Sequence, residues 1–146
     1  VATSGVFRED WILTPHPGEA ARLLGTTAAL VQEDRVAAAR KLADRYGGIT
    51  VLKGAGTLVY RSGAVPQVCD YGNPGMATAG MGDVLTGVIA ALMAQTPDLW
   101  TAARAGVLAH AMAGDAAARR GERGLLAGDV IAHLAACVNP TRCPSC

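Results

Sequence analysis

The 146-residue chain has little charge, and what it has is nearly balanced. Charged residues make up 17% of the sequence, and 13 basic residues against 12 acidic ones leave a net charge of +1. Domains that bind nucleic acid usually carry a clear excess of basic residues on one face. The one arginine cluster, Arg119, Arg120 and Arg123, is better explained as a solvated helix end. We therefore expect no nucleic-acid partner.

Long apolar runs are also missing. The longest uninterrupted apolar stretch, residues 88–94, is far shorter than the roughly 18 residues that a membrane-spanning helix needs. The first residues lack the basic-then-apolar pattern of a secretory signal. We therefore expect a soluble, cytoplasmic protein with no membrane partner.

Metal-binding patterns are absent as well. Cys69 and Cys137 lie within apolar patterns and are interpreted as small core residues. Residues 143–146 form a CxxC, but zinc would need two more ligands at matching spacing, so a frayed tail is the better interpretation. His133 has no acidic or cysteine partner at metal spacing, and His110 is interpreted as a packing histidine with its hydrogen bonds satisfied rather than a ligand. No metal site made of protein ligands is predicted.

Apolar residues and glycine, in contrast, are abundant. The chain is 51% hydrophobic and has 18 glycines, enough for one buried core and not for two domains. Extended patterns alternate with helical ones, which favours an α/β unit. The predicted strands are 11–13, 49–52, 58–60 and 65–69. The predicted helices are 20–24, 31–46, 83–94, 99–119 and 129–138, the last with Asp129 as its N-cap.

The most informative segment is residues 72–83, where four glycines in twelve residues lead directly into a helical pattern. Glycine allows tight turns and close backbone approach, and the free N–H groups at a helix N-terminus favour phosphate. The segment is neither a Walker A loop nor a dinucleotide fingerprint, because no Gly-Lys-Ser/Thr follows and the segment ends in Asp83. A carboxylate there can act as N-cap, as general base, or as both. A phosphate-handling site is predicted.

Two further segments follow predicted strands. Residues 14–19, Thr-Pro-His-Pro-Gly-Glu, form a stiff turn after the first strand, and residues 53–57, Lys-Gly-Ala-Gly-Thr, follow the second. Alone, the second segment is a weak signal, because a lysine beside a GxG turn is usually solvated. Ligands of parallel α/β sheets bind beyond the carboxyl ends of strands, so we expect all three segments to converge.

Together, the three segments resemble, in order and spacing, the signatures of the ADP- or ATP-dependent NAD(P)H-hydrate dehydratases, whose domain is similar to the ribokinase-like kinases. The resemblance covers nearly the whole chain. It implies a three-layer α/β/α sandwich with a mostly parallel sheet. The family's domain is nearly twice as long, so residues 1–146 are expected to be the C-terminal portion of a single domain, incomplete at its N-terminal side.

The resemblance also implies an activity: hydrated NADH or NADPH is dehydrated back, by phosphorylation of the ring hydroxyl and loss of phosphate, with ADP or ATP and Mg²⁺. It makes Asp83 the catalytic base and a substrate contact, together with His16. Gly80, Met81 and Gly82 would form an anion hole. The adenine nucleotide would contact Lys53, Gly54, Ala55, Gly56, Thr57 and Gly82.

Other partners and functions follow less directly. The resemblance implies a homo-oligomer and, in some members, an NAD(P)H-hydrate epimerase domain upstream. Two alternatives stay open on the sequence alone: a ribokinase-like kinase of a vitamin precursor, and a non-catalytic nucleotide-binding fragment. The choices between ADP and ATP, and between the two hydrates, also stay open.

Overall fold

A computed structural model of the chain describes residues 6–139. A sheet lies between two layers of helices, as expected for a three-layer α/β/α sandwich. Its four strands are β1 (Ile12–Leu13), β2 (Ile49–Leu52), β3 (Thr57–Arg61) and β4 (Gln67–Cys69). The helices are α1 (Pro17–Leu24), α2 (Ala28–Glu33), α3 (Arg35–Tyr46), α4 (Met81–Met93), α5 (Leu99–Ala117) and α6 (Ala127–Val138).

The sheet has the order β1-β2-β3-β4. β1 runs parallel to β2, with Ile12 opposite Ile49, whereas β2–β3 and β3–β4 are antiparallel. The prediction of a mostly parallel sheet is therefore wrong for the described residues, whose sheet is mixed. The reason is connection length, because a parallel crossover needs a dozen or more residues and only residues 53–56 join β2 to β3.

The two faces of the sheet are covered by different helices. On one face, α1, α2 and α3 pack over Leu52 and Leu58, with Leu42 and Tyr46 fully buried. On the other, α4 and α5 pack over Val51 and neighbouring residues of the sheet. All four residues of β2 are buried, as expected for a strand covered on both faces.

Helix α5 comes close to neighbouring residues at two glycines. A Cβ atom added to Gly106 would lie 2.6 Å from Cγ1 of Ile89 on α4. A Cβ atom added to Gly114 would collide with the side chain of Met76, which belongs to the glycine-rich segment. Since real Cβ atoms do not come that close to other heavy atoms, both contacts depend on glycine.

Two of the differences from the predicted helices concern caps. The helix predicted over residues 31–46 is two helices, because Asp34 leaves the helical conformation and its carboxylate accepts the N–H of Ala37 at 2.8 Å, capping α3. Asp129 is not an N-cap, since α6 begins after Leu126. Asp129 is the third residue of α6, and it accepts the N–H of Leu126 at 2.8 Å.

Among residues 6–139, no helix is both long enough and apolar enough to cross a membrane. The CxxC at residues 143–146 lies outside the described residues.

Candidate functional site

The first two predicted segments begin at the same edge of the sheet. Because β1 and β2 are parallel, their carboxyl ends lie side by side, and residues 14–19 and 53–57 follow those ends. The backbone N–H of Lys53 donates to the carbonyl of Pro15 at 2.9 Å, which joins the two segments directly. Two chain segments 38 residues apart are thus held by a main-chain hydrogen bond.

His16 is the N-cap of α1. Its Nδ1 accepts the backbone N–H groups of Gly18 at 3.0 Å and Glu19 at 3.2 Å. Glu19 completes a capping box, with its Oε2 accepting the N–H of His16 at 2.7 Å. Because Nδ1 is an acceptor, a neutral His16 carries its proton on Nε2, and the ring is about half exposed. Nδ1 is therefore engaged in capping, while Nε2 lies 3.5 Å from Oε1 of Glu19.

The side chain of Lys53 links all three segments. Its Nζ lies 3.6 Å from Oε2 of Glu19, and a Cβ added to Gly82 would come within 2.9 Å of the same Nζ. The side chain is 22% exposed, so it is not the freely solvated lysine that usually stands beside a GxG turn. Lys53 therefore places a positive charge directly at the N-terminus of α4.

Glu19 is held as a carboxylate in this cluster. Burial acts to raise the pKa of Glu19, but the N–H of His16 and the charge of Lys53 outweigh it, and the net pKa lies below its usual range. Its charge balances that of Lys53 in the free protein. An anionic ligand near Gly82 would compete with Glu19 for the lysine.

Arg35 stabilises the turn at residues 53–57 by hydrogen bonds. Its guanidinium donates to the carbonyls of Leu52 and Gly56, each at 3.1 Å. Burial lowers the pKa of Arg35. Gly54 admits this side chain, since a Cβ there would lie 2.6 Å from Nη1 of Arg35. Gly56 has φ +65°, a left-handed conformation that favours glycine, and Thr57 closes the turn by donating to the carbonyl of Gly54 at 3.1 Å.

The N-terminus of α4 is left open. Gly80 is the N-cap, with φ +84°, and no side chain caps this end of the helix. The N–H groups of Met81, Gly82 and Asp83 have no partner within the helix, as at any helix N-terminus. Asp83 is exposed and is the third residue of α4, so the interpretation of Asp83 as only an N-cap is wrong. Thr86 on the next turn lies 3.2 Å from the hydroxyl of Thr14, oxygen to oxygen, which ties α4 to the first segment.

The beginning of the glycine-rich segment is held by α5. The carboxylate of Asp115 accepts the N–H of Gly72 at 3.0 Å and the side-chain N–H of Asn73 at 2.9 Å. Asn73 in turn accepts the N–H of Gly75 at 3.1 Å and caps a short 3₁₀ turn, Pro74–Met76. Sequence reasoning missed Asp115, because a contact over more than forty residues leaves no local pattern.

Three features of the described residues, His110, Cys69 and one groove, lie outside the three segments. His110 is 7% exposed, but its Nε2 has no hydrogen-bond partner among the described residues, so the prediction of a satisfied histidine is wrong. Burial lowers the pKa of His110, while the backbone of Met81 acts in the opposite direction. Burial also raises the pKa of the Cys69 thiol. A groove of about 390 Å³ between β4 and α5 contains no residue of the three segments.

The structure thus brings the predicted site residues to one place. Contacts join residues 14–19, 53–57 and 80–83 around Lys53, and His16 stands at the rim. Sequence reasoning missed Arg35 and Asp115. It also gave Glu19 no role, although its spacing from His16 is that of a capping box.

Comparison with known proteins decides the family. The family described as NAD(P)H-hydrate dehydratase matches residues 2–135, which is most of the chain. The chain belongs to the NAD(P)H-hydrate dehydratase family. The three dehydratase segments recognised in the sequence all lie within the matched range.

Curated relatives agree with this assignment. The chain is 55% identical over 141 residues to the bifunctional NAD(P)H-hydrate repair enzyme Nnr of Coxiella burnetii, covering 96% of the chain and 29% of that protein. It is 50% identical over 124 residues to the ADP-dependent (S)-NAD(P)H-hydrate dehydratase of Neisseria meningitidis, covering 84% of the chain and 42% of that protein. The chain therefore spans less than half the length of both relatives.

A solved dehydratase structure has the same fold. The ADP/ATP-dependent NAD(P)H-hydrate dehydratase from Bacillus subtilis, co-crystallized with ATP and Mg²⁺, superposes with a TM-score of 0.82 at 27% identity, covering 92% of this chain and 51% of that one. A ribokinase-like superfamily protein from Enterococcus faecalis superposes with a TM-score of 0.71 at 31% identity, covering 86% of this chain and 43% of that one. The expected ribokinase-like α/β fold is confirmed, for about half of a complete chain.

Proposed function

We propose that this chain forms the nucleotide and catalytic part of an enzyme that dehydrates hydrated NADH or NADPH at the expense of ADP or ATP. The observation that carries the proposal is the position of Lys53. Its ammonium group lies between Glu19 and Gly82, so the three segments form one corner around this positively charged group at an uncapped helix N-terminus. That corner suits the terminal phosphates of a nucleotide.

The nucleotide lies along the turn at residues 53–57 in this proposal. Arg35 fixes the carbonyls of that turn, and its glycines let a ligand approach the backbone closely. The N–H groups of residues 80–82 then receive the transferring phosphoryl group. Fixed donors aimed at developing charge contribute much of the rate in phosphoryl transfer, because they need no reorganisation during the reaction.

Asp83 stands beside that anion hole and acts as the general base. Hydroxide is a poor leaving group, so the reaction first makes a phosphate ester. Asp83 takes the proton of the ring hydroxyl, the oxygen attacks the terminal phosphorus, and the bond to the departing nucleotide breaks. The C–O bond then breaks as inorganic phosphate leaves, and the neighbouring ring carbon releases a proton to solvent, which restores the ring double bond. His16 contacts the hydrated ring through Nε2, the nitrogen not used in capping.

Mg²⁺ fits this site only as a partner of the nucleotide. Among the described residues, no three His, Cys, Asp or Glu side chains are grouped to hold a metal. Mg²⁺ commonly binds through one or two carboxylates together with substrate phosphates, and Asp83 is an exposed carboxylate at the anion hole. When bound, the ion would neutralise phosphate charge, as in other phosphoryl-transfer enzymes.

The proposal concerns the complete polypeptide to which this chain belongs. The relative from Escherichia coli is also named a bifunctional NAD(P)H-hydrate repair enzyme, and the chain covers 26% of it. We infer that the complete polypeptide holds the rest of the dehydratase domain and, upstream, an NAD(P)H-hydrate epimerase.

The test is recovery of reduced nicotinamide. The complete polypeptide is incubated with chemically hydrated NADH or NADPH, Mg²⁺ and either ADP or ATP, and the return of dihydronicotinamide absorbance is followed. We expect recovery that depends on nucleotide. A stable phosphorylated product without recovery would instead support a small-molecule kinase. If neither recovery nor a phosphorylated product is observed, the alternative of a non-catalytic nucleotide-binding fragment is supported.

Replacing Asp83 by Asn tests its role as the base. Because Asp83 caps nothing, Asp83→Asn should leave stability unchanged and lower turnover by roughly 10²–10⁴, the usual contribution of a general base. Nucleotide affinity, measured by calorimetry, should stay nearly intact. Asp44→Asn, an exposed change on α3, is the matched control. Equal turnover in the two variants would remove Asp83 from the mechanism.

A further inference from the structure

The glycine-rich segment is attached to the rest of the protein at its two ends. At its beginning, Asp115 on α5 binds Gly72 and Asn73. At its far end, Gly80 begins α4, which packs on the same helix α5. Between these ends, Ala77, Thr78 and Ala79 are exposed. The path of the segment past the anion hole therefore depends on how its beginning is anchored.

The anchor is a chain of three hydrogen bonds. One oxygen of Asp115 accepts the N–H of Gly72, and the other accepts Nδ2 of Asn73. The carbonyl oxygen of the Asn73 side chain accepts the N–H of Gly75 and so fixes the 3₁₀ turn. This turn places Met76 against Gly114, one residue before Asp115. Helix α5 thus holds the turn through both polar and apolar contacts.

With asparagine at residue 73, the anchor requires a carboxylate at residue 115. Two N–H donors converge on residue 115, and a carboxylate offers two acceptor oxygens where an amide offers only one. Hydrogen bonds to a charged acceptor are also roughly twice as strong as neutral ones. An amide at residue 115 would turn an N–H donor toward a donor of Asn73.

We propose that Asp115 is a positioning residue for phosphoryl transfer, which acts through Asn73 to hold the glycine-rich segment in the conformation that leaves the anion hole open. This inference rests on the proposed function for the reaction concerned. Asp115 touches neither substrate nor nucleotide in this account. Its effect falls on turnover, because a displaced segment would alter the site mainly in the transition state.

The exchange of Asp115 and Asn73 tests the proposal. In the double variant Asp115→Asn/Asn73→Asp, the amide at residue 115 accepts from Gly72 with its oxygen and donates to the carboxylate at residue 73. That carboxylate still accepts from Gly75, so all three hydrogen bonds are restored, with donor and acceptor reversed only in the bond between residues 115 and 73. Each single change breaks the chain: Asp115→Asn opposes two donors, and Asn73→Asp opposes two carboxylates.

The variants are made in the complete polypeptide. For each single variant we expect kcat to fall about 10–100-fold, the equivalent of one hydrogen bond to a charged group, with the KM for nucleotide changing less than about threefold. Deuterium exchange of the peptide covering residues 72–76 should become faster. The double variant should recover both properties. Asp98→Asn, which keeps an N-cap at the other end of α5, is the control and should match the unchanged protein.

Either of two results would overturn the proposal: single variants with unchanged exchange and turnover, or a folded double variant as impaired as the single ones. The exchange measurement needs no activity. If the unchanged protein fails to repair the hydrate, the proposed function is wrong, and exchange alone then decides the anchor: loss in the single variants with recovery in the double supports it, and any other pattern overturns it.

Discussion

Replacing Gly82 by Ala should separate function from stability at the Lys53 corner. A Cβ at Gly82 would lie 2.9 Å from Nζ of Lys53, and ordinary contact begins at about 3.4 Å, so the ammonium must move by about half an ångström. The end of a flexible lysine moves at little cost. Alanine is also the better residue within a helix, by up to about 1 kcal/mol. Gly82→Ala should therefore fold as well as the unchanged protein or better.

Function should respond in the opposite direction. A displacement of about 1 Å in a catalytic group can lower a rate about 10²-fold, so a shift of half that size predicts a loss of about tenfold in kcat/KM for the nucleotide. The matched control is Gly87→Ala on the same helix, where a Cβ would meet nothing within 4 Å. Steady-state kinetics and thermal unfolding are measured on both variants. If they show the same kcat/KM, Lys53 has no role at the phosphates.

Three further changes test other parts of the site. Gly56→Ala and Gly63→Ala place alanine at similar φ angles, +65° and +76°, so both should lose about 1–2 kcal/mol of stability, while only Gly56→Ala should weaken ADP binding in calorimetry. Equal affinities would exclude the turn as a nucleotide site. His16→Asn keeps a good N-cap, so the fold should be preserved, and loss of the ring should raise the KM for the hydrate and not that for the nucleotide. Equal changes in the two KM values would leave His16 with a capping role alone. Because burial lowers the pKa of His110, this side chain takes up a proton near pH 6.5 in the unfolded protein but not in the native protein. The free energy of unfolding should therefore fall as the pH drops below about 6.5, and His110→Gln should flatten that slope in denaturant titrations; an unchanged slope would contradict this.

The sequence predicted the strands and the site segments best where local chemistry decides the structure. Residues 49–52 are apolar and β-branched between turn residues, and they form β2 as predicted. The glycine-rich entry into α4 also follows from local features, because the glycines precede a helical pattern, although the possible N-cap at Asp83 is wrong. The direction of β3 was predictable too, since four residues cannot make a parallel crossover. The resemblance to the family instead predicted a mostly parallel sheet. That prediction concerns a complete domain and does not describe the four strands seen here.

Other features depend on contacts that no local pattern records. Arg35 reaches carbonyls 17 and 21 residues away, and it looks in the sequence like any exposed helical arginine. Asp34 interrupts a helical pattern that continues on both sides, and its capping of Ala37 does not show in that pattern. The roles of His16, Asp83 and the nucleotide turn stay predictions, as does the homo-oligomer.

The two glycines of α5 suggest how the size of the site is set. Gly106 receives Ile89 of α4, and Gly114 receives Met76 of the loop, eight residues or about 12 Å further along one helix. Helix α5 therefore fixes the spacing between α4, which would carry the anion hole, and the glycine-rich segment that leads into it. A methyl group at Gly106 would shift α4, and one at Gly114 would shift the glycine-rich segment. Changes on α5 could therefore enlarge the site for a bulkier phosphate donor while the sequence motifs stay intact.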